Sequence, residues 1–217
     1  MMDSRRAVIF DLDGTRLDSL ADIANATNTV LEELGLPVHP MDAYRKFVGD
    51  GIRVLVERAV AGSEHLAHLE RALLRVREVY AASALDRTRP YPGIPALLDA
   101  LAAQKIPVAI LSNKPHDLPL EVVAGALSSW TFSAIHGSRN SVPRKPHPAG
   151  ALEIARELDS SPGAFLYVGD TDTDMRTAIN ASMVPVGVSW GFRGTQELLN
   201  SGARHIVDQP AQILDLL

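Results

Sequence analysis

The hydrophobic positions of the chain change period several times, and each change marks an element. Ala7-Val-Ile-Phe10 is a short, β-rich apolar run that ends abruptly at Asp11-Leu-Asp-Gly-Thr15. It reads as a buried strand feeding a polar turn. Leu20, Ile23, Thr27, Val30, Leu31 and Leu34 then recur at helical spacing until Gly35 and Pro37 stop the pattern. Gly51–Ala61 and Glu64–Leu85 continue as helices, and Leu66, Leu69, Leu73, Val76 and Tyr80 mark one face of the second. Residues 18–86 are therefore expected to be helical throughout, with no strand.

After Pro90-Tyr-Pro-Gly93 the texture alternates. Val108–Leu111, Ala134–His136, Phe165–Val168, Pro185–Val188 and His205–Val207 read as strands. Ile94–Gln104, Leu118–Leu127, His147–Leu158 and Thr195–Ser201 read as helices between them. Alternating βα units imply a mostly parallel sheet covered by helices on both faces. The fold class predicted is α/β, with a core of residues 1–15 and 88–217 and an inserted all-helical cap of residues 16–87. The crossings near Thr15–Asp18 and Arg87–Pro92 would be the hinges.

Composition narrows the function classes. The 217 residues are 46% hydrophobic and 22% charged, an ordinary globular mixture that excludes disordered, collagenous and coiled-coil chains. Lys+Arg 21 minus Asp+Glu 26 gives −5, so no basic excess exists to neutralise a nucleic acid. Without cysteine there are no disulfides, thiolate zinc sites or cysteine nucleophiles. After Arg5 and Arg6 the apolar run is only Ala7–Phe10. A signal peptide needs about 7–15 apolar residues and a membrane helix about 18 or more, so a cytoplasmic protein without a membrane partner is expected.

The chemistry-bearing residues fall just past strand ends, where open α/β sheets bind ligands. Asp11 and Asp13 follow the first strand, Ser112-Asn113-Lys114 follows the second, and Asp170, Asp172 and Asp174 follow the fourth. Crowded carboxylates resist ionisation unless a cation sits between them. Oxygen ligands without His or Cys favour a hard ion, Mg²⁺ before Zn²⁺. Each signal also has a plainer reading. Asp11-Leu-Asp-Gly14 could be a solvated turn, Ser112-Asn113 a helix cap, and Lys145, within Pro143-Arg-Lys-Pro-His-Pro148, a surface lysine on a rigid loop. A calcium loop is excluded, because its required Gly and Glu positions hold Met175 and Ala181. The seven histidines show no His-x-His or His-x-x-x-His pairing and receive no role.

Taken in order, Asp-x-Asp-Gly-Thr, Ser-Asn, an isolated Lys and Gly-Asp-x-x-x-Asp resemble the haloacid dehalogenase-like phosphatases from about Val8 to Leu214. Phe47-Val-Gly-Asp-Gly-Ile52, Tyr91-Pro-Gly-Ile94, Leu111-Ser-Asn-Lys-Pro115 and Trp190-Gly-Phe-Arg193 are similar to the phosphoglycolate phosphatases within that group. One departure is Arg16, where the family commonly has an apolar residue. The resemblance implies a Rossmann-like core and a helical lid. It implies that Asp11 attacks phosphorus and that Asp13 serves as general acid and base. The Asp11 carboxylate, the Asp13 backbone carbonyl and the Asp170 carboxylate would ligate Mg²⁺, with Asp174 orienting that shell or Lys145. Ser112, Asn113 and Lys145 would hold the phosphoryl group, with Thr15 closing the loop.

The lid's Gly49-Asp-Gly51 loop is followed by Arg53, a candidate reader of a substrate carboxylate, although an ordinary exposed helix residue is the plainer reading. The leading expectation is a Mg²⁺-dependent phosphatase acting on a small soluble phosphomonoester, foremost 2-phosphoglycolate, as a monomer or homodimer. A sugar-phosphate phosphatase, pyrophosphatase or phosphosugar mutase on the same core is the alternative, and a non-catalytic phosphate-binding regulatory module is a third. Dehalogenase chemistry is disfavoured, because those relatives lack an acid/base Asp at the place of Asp13.

Overall fold

A computed structural model describes residues 7–61 and 68–217. Arg5, Arg6, Glu64 and Leu66, used above as sequence signals, lie outside the described residues. In chain order, β1 (Ala7–Phe10) and a two-residue β2 (Leu17–Asp18) precede α1 (Leu20–Glu33), α2 (Met41–Phe47), α3 (Ile52–Ala59) and α4 (Leu69–Ser83). Strand β3 (Arg89–Pro90) returns the chain to α5 (Ile94–Ala103), β4 (Val108–Pro115), α6 (Asp117–Ala126), β5 (Ala134–Ser138) and α7 (Ala149–Glu157). The chain continues as β6 (Phe165–Gly169), α8 (Asp172–Asn180), β7 (Val184–Val188), α9 (Thr195–Asn200) and β8 (His205–Val207).

Among the described residues, six strands form one sheet in the order β5-β4-β1-β6-β7-β8, every neighbouring pair parallel. β1 is central and wholly buried, which is why it reads as an uninterrupted apolar run. Its alternating side chains serve two cores: Val8 and Phe10 face the one shared with the helical cap, Ala7 and Ile9 the other. From β1 the chain builds outward through β4 to β5, then crosses to β6 on the opposite side. The sheet therefore switches direction at β1, between β4 and β6.

Three local differences from the sequence expectation have physical causes. β4 runs on through Ser112-Asn113-Lys114 to Pro115, with a register irregularity after Leu111, because pairing with β5 keeps a polar stretch extended. α2 is under two turns long and buries only Tyr44, too little for a recognisable period. β2 and β3 pair antiparallel, Leu17 opposite Pro90 and Asp18 opposite Arg89, so the two crossings form one ribbon. The buried Asp22 carboxylate at the start of α1 fastens this ribbon. It accepts hydrogen bonds from the Arg87 N–H (3.0 Å), the Thr88 N–H (2.8 Å) and the Thr88 hydroxyl (2.7 Å).

Candidate active site

Carboxylates meet where the sheet switches direction. Oxygens of Asp11 after β1, Asp170 after β6 and Asp174 in α8 all lie within 4.8 Å of one another, and all three residues are buried. Close backbone approach makes this possible. Gly14 has φ +77°, and a Cβ there would lie 2.2 Å from Asp170 Oδ2. Asp170 is held from both sides, Oδ1 accepting from the Thr15 hydroxyl (2.8 Å) and Oδ2 from the Phe192 N–H (2.8 Å). Trp190 Nε1 donates to the Thr15 carbonyl (2.9 Å), so the Trp190–Arg193 segment forms the back wall of this cradle. Thr15 does not line the cavity described below: its hydroxyl serves Asp170, a correction to its expected place among the substrate contacts.

Lys145 joins the group from its proline-flanked loop. Its Nζ donates to Asp11 Oδ1 (2.8 Å) and Asp174 Oδ1 (2.7 Å). The other Asp174 oxygen accepts from the Thr171 N–H and hydroxyl in a capping box that starts α8. Asp174 thus fixes both Lys145 and the helix following Asp170. Asn113 positions the lysine backbone, its Oδ1 accepting from the Lys145 N–H (3.0 Å) and its Nδ2 donating to the Lys145 carbonyl (3.2 Å). The same Nδ2 reaches the Gly49 carbonyl in the cap (3.1 Å).

Asp13 faces differently. Its carboxylate accepts from the Ser19 hydroxyl (2.5 Å) and from Lys114 Nζ at 2.5 and 2.6 Å, away from the trio. Ser19 precedes α1, yet its side chain caps nothing there and serves Asp13 instead. Lys114 Nζ also lies 4.7 Å from the centre of the Tyr80 ring in α4. Lys114 stands in the sequence only as part of the Ser112-Asn113-Lys114 strand end, with no role of its own, and neither Ser19 nor Tyr80 is a sequence candidate for the site. Their signals were a serine before a helix, a lysine beside Ser112-Asn113 and an aromatic on a helix face.

A cavity of about 60 Å³ lies between the strand ends and the cap. Asp11, Asp13, Ser112, Asn113 and Lys114 line it from the core, and Gly49, Ile52, Leu55, Val76 and Tyr80 from the cap. The cap sits closed on it. Thr173 donates to Asp50 (2.8 Å), which Arg58 also holds (2.7 Å), and Arg193 donates to the Val48 carbonyl (3.1 Å). Arg53 is absent from the lining, 40% of its side chain exposed, with Nη1 2.8 Å from Glu70. The sequence expectation for Arg53 is corrected here. Ile52 and Leu55, three residues apart, turn one face of α3 inward, and Arg53 projects about 100° away toward Glu70.

The electrostatics fit a cation. Burial pushes the Asp11 carboxyl up to about 7; Lys145 opposes this, and Asp174 and Asp13 add to it. Burial, reinforced by Asp11 and Asp174, holds Asp170 well above the carboxylate range. Burial works against the charge on Lys145, but Asp11 and Asp174 outweigh it and keep that ammonium firmly protonated. Three buried carboxylates thus cluster with a single ammonium, which hydrogen-bonds two of them, Asp11 and Asp174. Such a surplus of oxygen-borne negative charge suits a hard divalent ion. A second group, His136, Glu153 and Glu157, lies on β5 and α7, where the Arg139 guanidinium, 2.5 Å from Glu153, already pairs with one of the two carboxylates and His136 meets the other.

A buried carboxylate beside a lysine, an all-oxygen cluster that could hold a cation and a hydroxyl-bearing strand end, all at a sheet switch point, fit a phosphoryl-transfer class of site. Comparison with known proteins agrees. The profile described as haloacid dehalogenase-like hydrolase matches residues 8–188. A phosphoglycolate phosphatase of Pseudomonas putida is 34% identical, over 97% of this chain and 76% of its own. One from Aquifex aeolicus is 33% identical over 86% of each. The solved structure of a haloacid dehalogenase-like family hydrolase from Streptococcus pneumoniae superposes with TM-score 0.88 at 26% identity, covering 99% of both chains. The chain belongs to the haloacid dehalogenase-like hydrolases, in the phosphoglycolate phosphatase-like group, and its enzyme class is phosphoric monoester hydrolase. Its α/β core with an inserted helical cap is the fold of that family.

Proposed function

We propose that this protein is a Mg²⁺-dependent phosphatase that hydrolyses 2-phosphoglycolate through an aspartyl-phosphate on Asp11. The observation that carries the reading is the placement of Asp11 at the end of β1, 2.8 Å from Lys145 and clustered with Asp170 and Asp174. The Asp11 and Asp170 carboxylates, with the Asp13 backbone carbonyl, would hold Mg²⁺, which supplies positive charge opposite the phosphoryl oxygens. Lys145 adds a second positive charge beside the nucleophile. Ser112 Oγ accepts from the Lys114 N–H, which leaves its own O–H free to donate to a phosphoryl oxygen.

In the first step an Asp11 oxygen forms a bond to phosphorus, and the bond to the ester oxygen breaks. Asp13, facing the same cavity, gives that leaving oxygen a proton. In the second step Asp13 takes a proton from water as the water oxygen bonds phosphorus, releasing phosphate and free Asp11. The cap, residues 16–87, acts as a lid over the core of residues 1–15 and 88–217, excluding bulk water while charge is transferred. The small cavity favours a two- or three-carbon leaving group over a hexose. Among the described residues no helix is long and apolar enough to cross a membrane, which goes with action on a dissolved ester in the cytoplasm. The test is phosphate release from a panel of esters, with and without Mg²⁺. The reading requires 2-phosphoglycolate to head the kcat/KM ranking and activity to vanish on chelation; a sugar phosphate at the head would replace the substrate.

A further inference from the structure

The residues that line the cavity over Asp11 are of two kinds. Asp11, Asp13, Ser112, Asn113 and Thr171 are polar, whereas Ile23, Leu55, Val76 and Leu118 are apolar. Two further side chains among the lining residues can donate a hydrogen bond without belonging to the phosphoryl-binding set. Lys114 carries the one cationic side chain among the described lining residues. Tyr80 lines the same space and is 3% exposed, and its hydroxyl, beside Lys114, makes no hydrogen bond of good geometry among the described residues. A buried hydroxyl without a partner carries a desolvation penalty that a ligand oxygen would remove.

We propose that Lys114 and Tyr80 together form the subsite that reads the carboxylate of the substrate, an inference that rests on the phosphatase reading above. The Lys114 ammonium lies 4.7 Å from the centre of the Tyr80 ring, so one carboxylate oxygen pair is within the reach of both donors once Lys114 turns from Asp13. Burial raises the Tyr80 pKa, so its hydroxyl stays a donor. The apolar wall strengthens a charge pair by excluding water. A cavity of about 60 Å³ suits a short hydroxy acid carrying one carboxylate. Lys114 grips both Asp13 oxygens. An arriving carboxylate competes for the same ammonium, and so loosens the grip on the group that must serve as acid. Because Lys114 comes from β4 and Tyr80 from α4, the subsite is complete only with the cap on the core. Specificity and closure are thereby one event.

The test compares kcat/KM for 2-phosphoglycolate with that for ethyl phosphate, which lacks the carboxylate, on the Mg²⁺-loaded full chain. Lys114 also touches Asp13, so Lys114→Met will slow both esters, and the ratio between them isolates the reading of the carboxylate. That ratio should fall at least about tenfold in Lys114→Met, and by roughly threefold to tenfold in Tyr80→Phe, mainly through KM for 2-phosphoglycolate. Tyr80→Phe removes one oxygen atom and decides the matter alone where Lys114→Met does not fold. Wild-type ratios in both variants, with the wild type still preferring 2-phosphoglycolate, overturn the subsite and leave the phosphatase reading standing. A wild type that releases phosphate from neither ester overturns the phosphatase reading and the subsite with it.

Discussion

Arg16 is the least expected residue of the core. It is 0% exposed, and none of its three guanidinium nitrogens has a hydrogen-bond partner among the described residues. Its guanidinium carbon lies 5.2 Å from the Phe10 ring centre and 4.8 Å from that of Phe132. Taking a cation out of water costs several kcal/mol even after relaxation, and two desolvated cation–π contacts return about 2 kcal/mol each. Roughly 1–4 kcal/mol of penalty is left, the size of gain seen when buried ionic groups are replaced by apolar ones. Arg16→Met fills nearly the same space with a flexible apolar chain, at a cavity cost of about 0.5 kcal/mol or less. The variant should therefore be more stable by roughly 1–3 kcal/mol, raising Tm by about 2–12 °C in thermal unfolding followed by circular dichroism. Burial, opposed in part by Asp11, lowers the Arg16 pKa to about 9. The folded state therefore binds this proton less tightly than the unfolded chain. The penalty is complete below about pH 9 and would lift only as pH rises above it, so the gain should be flat between about pH 6 and pH 8. An Arg16→Met protein that melts below the wild type would refute the reasoning, since the guanidinium would then have a stabilising partner.

Four further outcomes follow from the site and the hinge. Asp11→Asn should abolish phosphoenzyme formation, whereas Asp13→Asn should slow both steps by roughly a hundredfold to ten-thousandfold yet still permit a trapped intermediate; equal, near-wild-type rates in both would remove the mechanism. Gly14→Ala puts a Cβ 2.2 Å from Asp170 Oδ2 at φ +77°, so it should weaken Mg²⁺ activation by at least about tenfold in a metal titration, and an unchanged titration would count against Asp170 as a ligand. Because Asp11 and Asp170 bind protons more tightly folded than unfolded, the metal-free protein should lose stability as pH rises from about 4 through about 7. Mg²⁺ should then raise Tm more at about pH 8 than at about pH 5.5, and equal increments would contradict the assignment. Asp22→Ala strands the Arg87 and Thr88 donors and should cost about 3 kcal/mol in urea unfolding; a change under about 0.5 kcal/mol would mean the ribbon is held elsewhere.

The sheet and the three strand-end clusters were legible because a central parallel strand is an unbroken apolar run and a ligand loop breaks it with polar residues. Asp11, Asp13, Ser112, Asn113 and Asp170 all stand at such breaks. Asp13's partner Lys114 was not legible, since the two are 101 residues apart and meet only through the pairing of β1 with β4. Tyr80 reads as one more apolar position on a helix face, and nothing local distinguishes a tyrosine that lines a cavity from a core aromatic. Arg53 shows the opposite error. Its neighbours Gly49 and Ile52 do reach the cavity, but one helical step turns the arginine away to Glu70.

The central claim is covalent catalysis by Asp11, and trapping tests it most directly. Mg²⁺-loaded protein mixed with 2-phosphoglycolate would be quenched within one turnover into borohydride, which reduces an aspartyl-phosphate to homoserine, and its peptides mapped by mass spectrometry. Homoserine at position 11, formed only when both substrate and Mg²⁺ are present, is the predicted result. Phosphate release with Asp11 left unmodified at every quench time, or reduction at another aspartate, would contradict it.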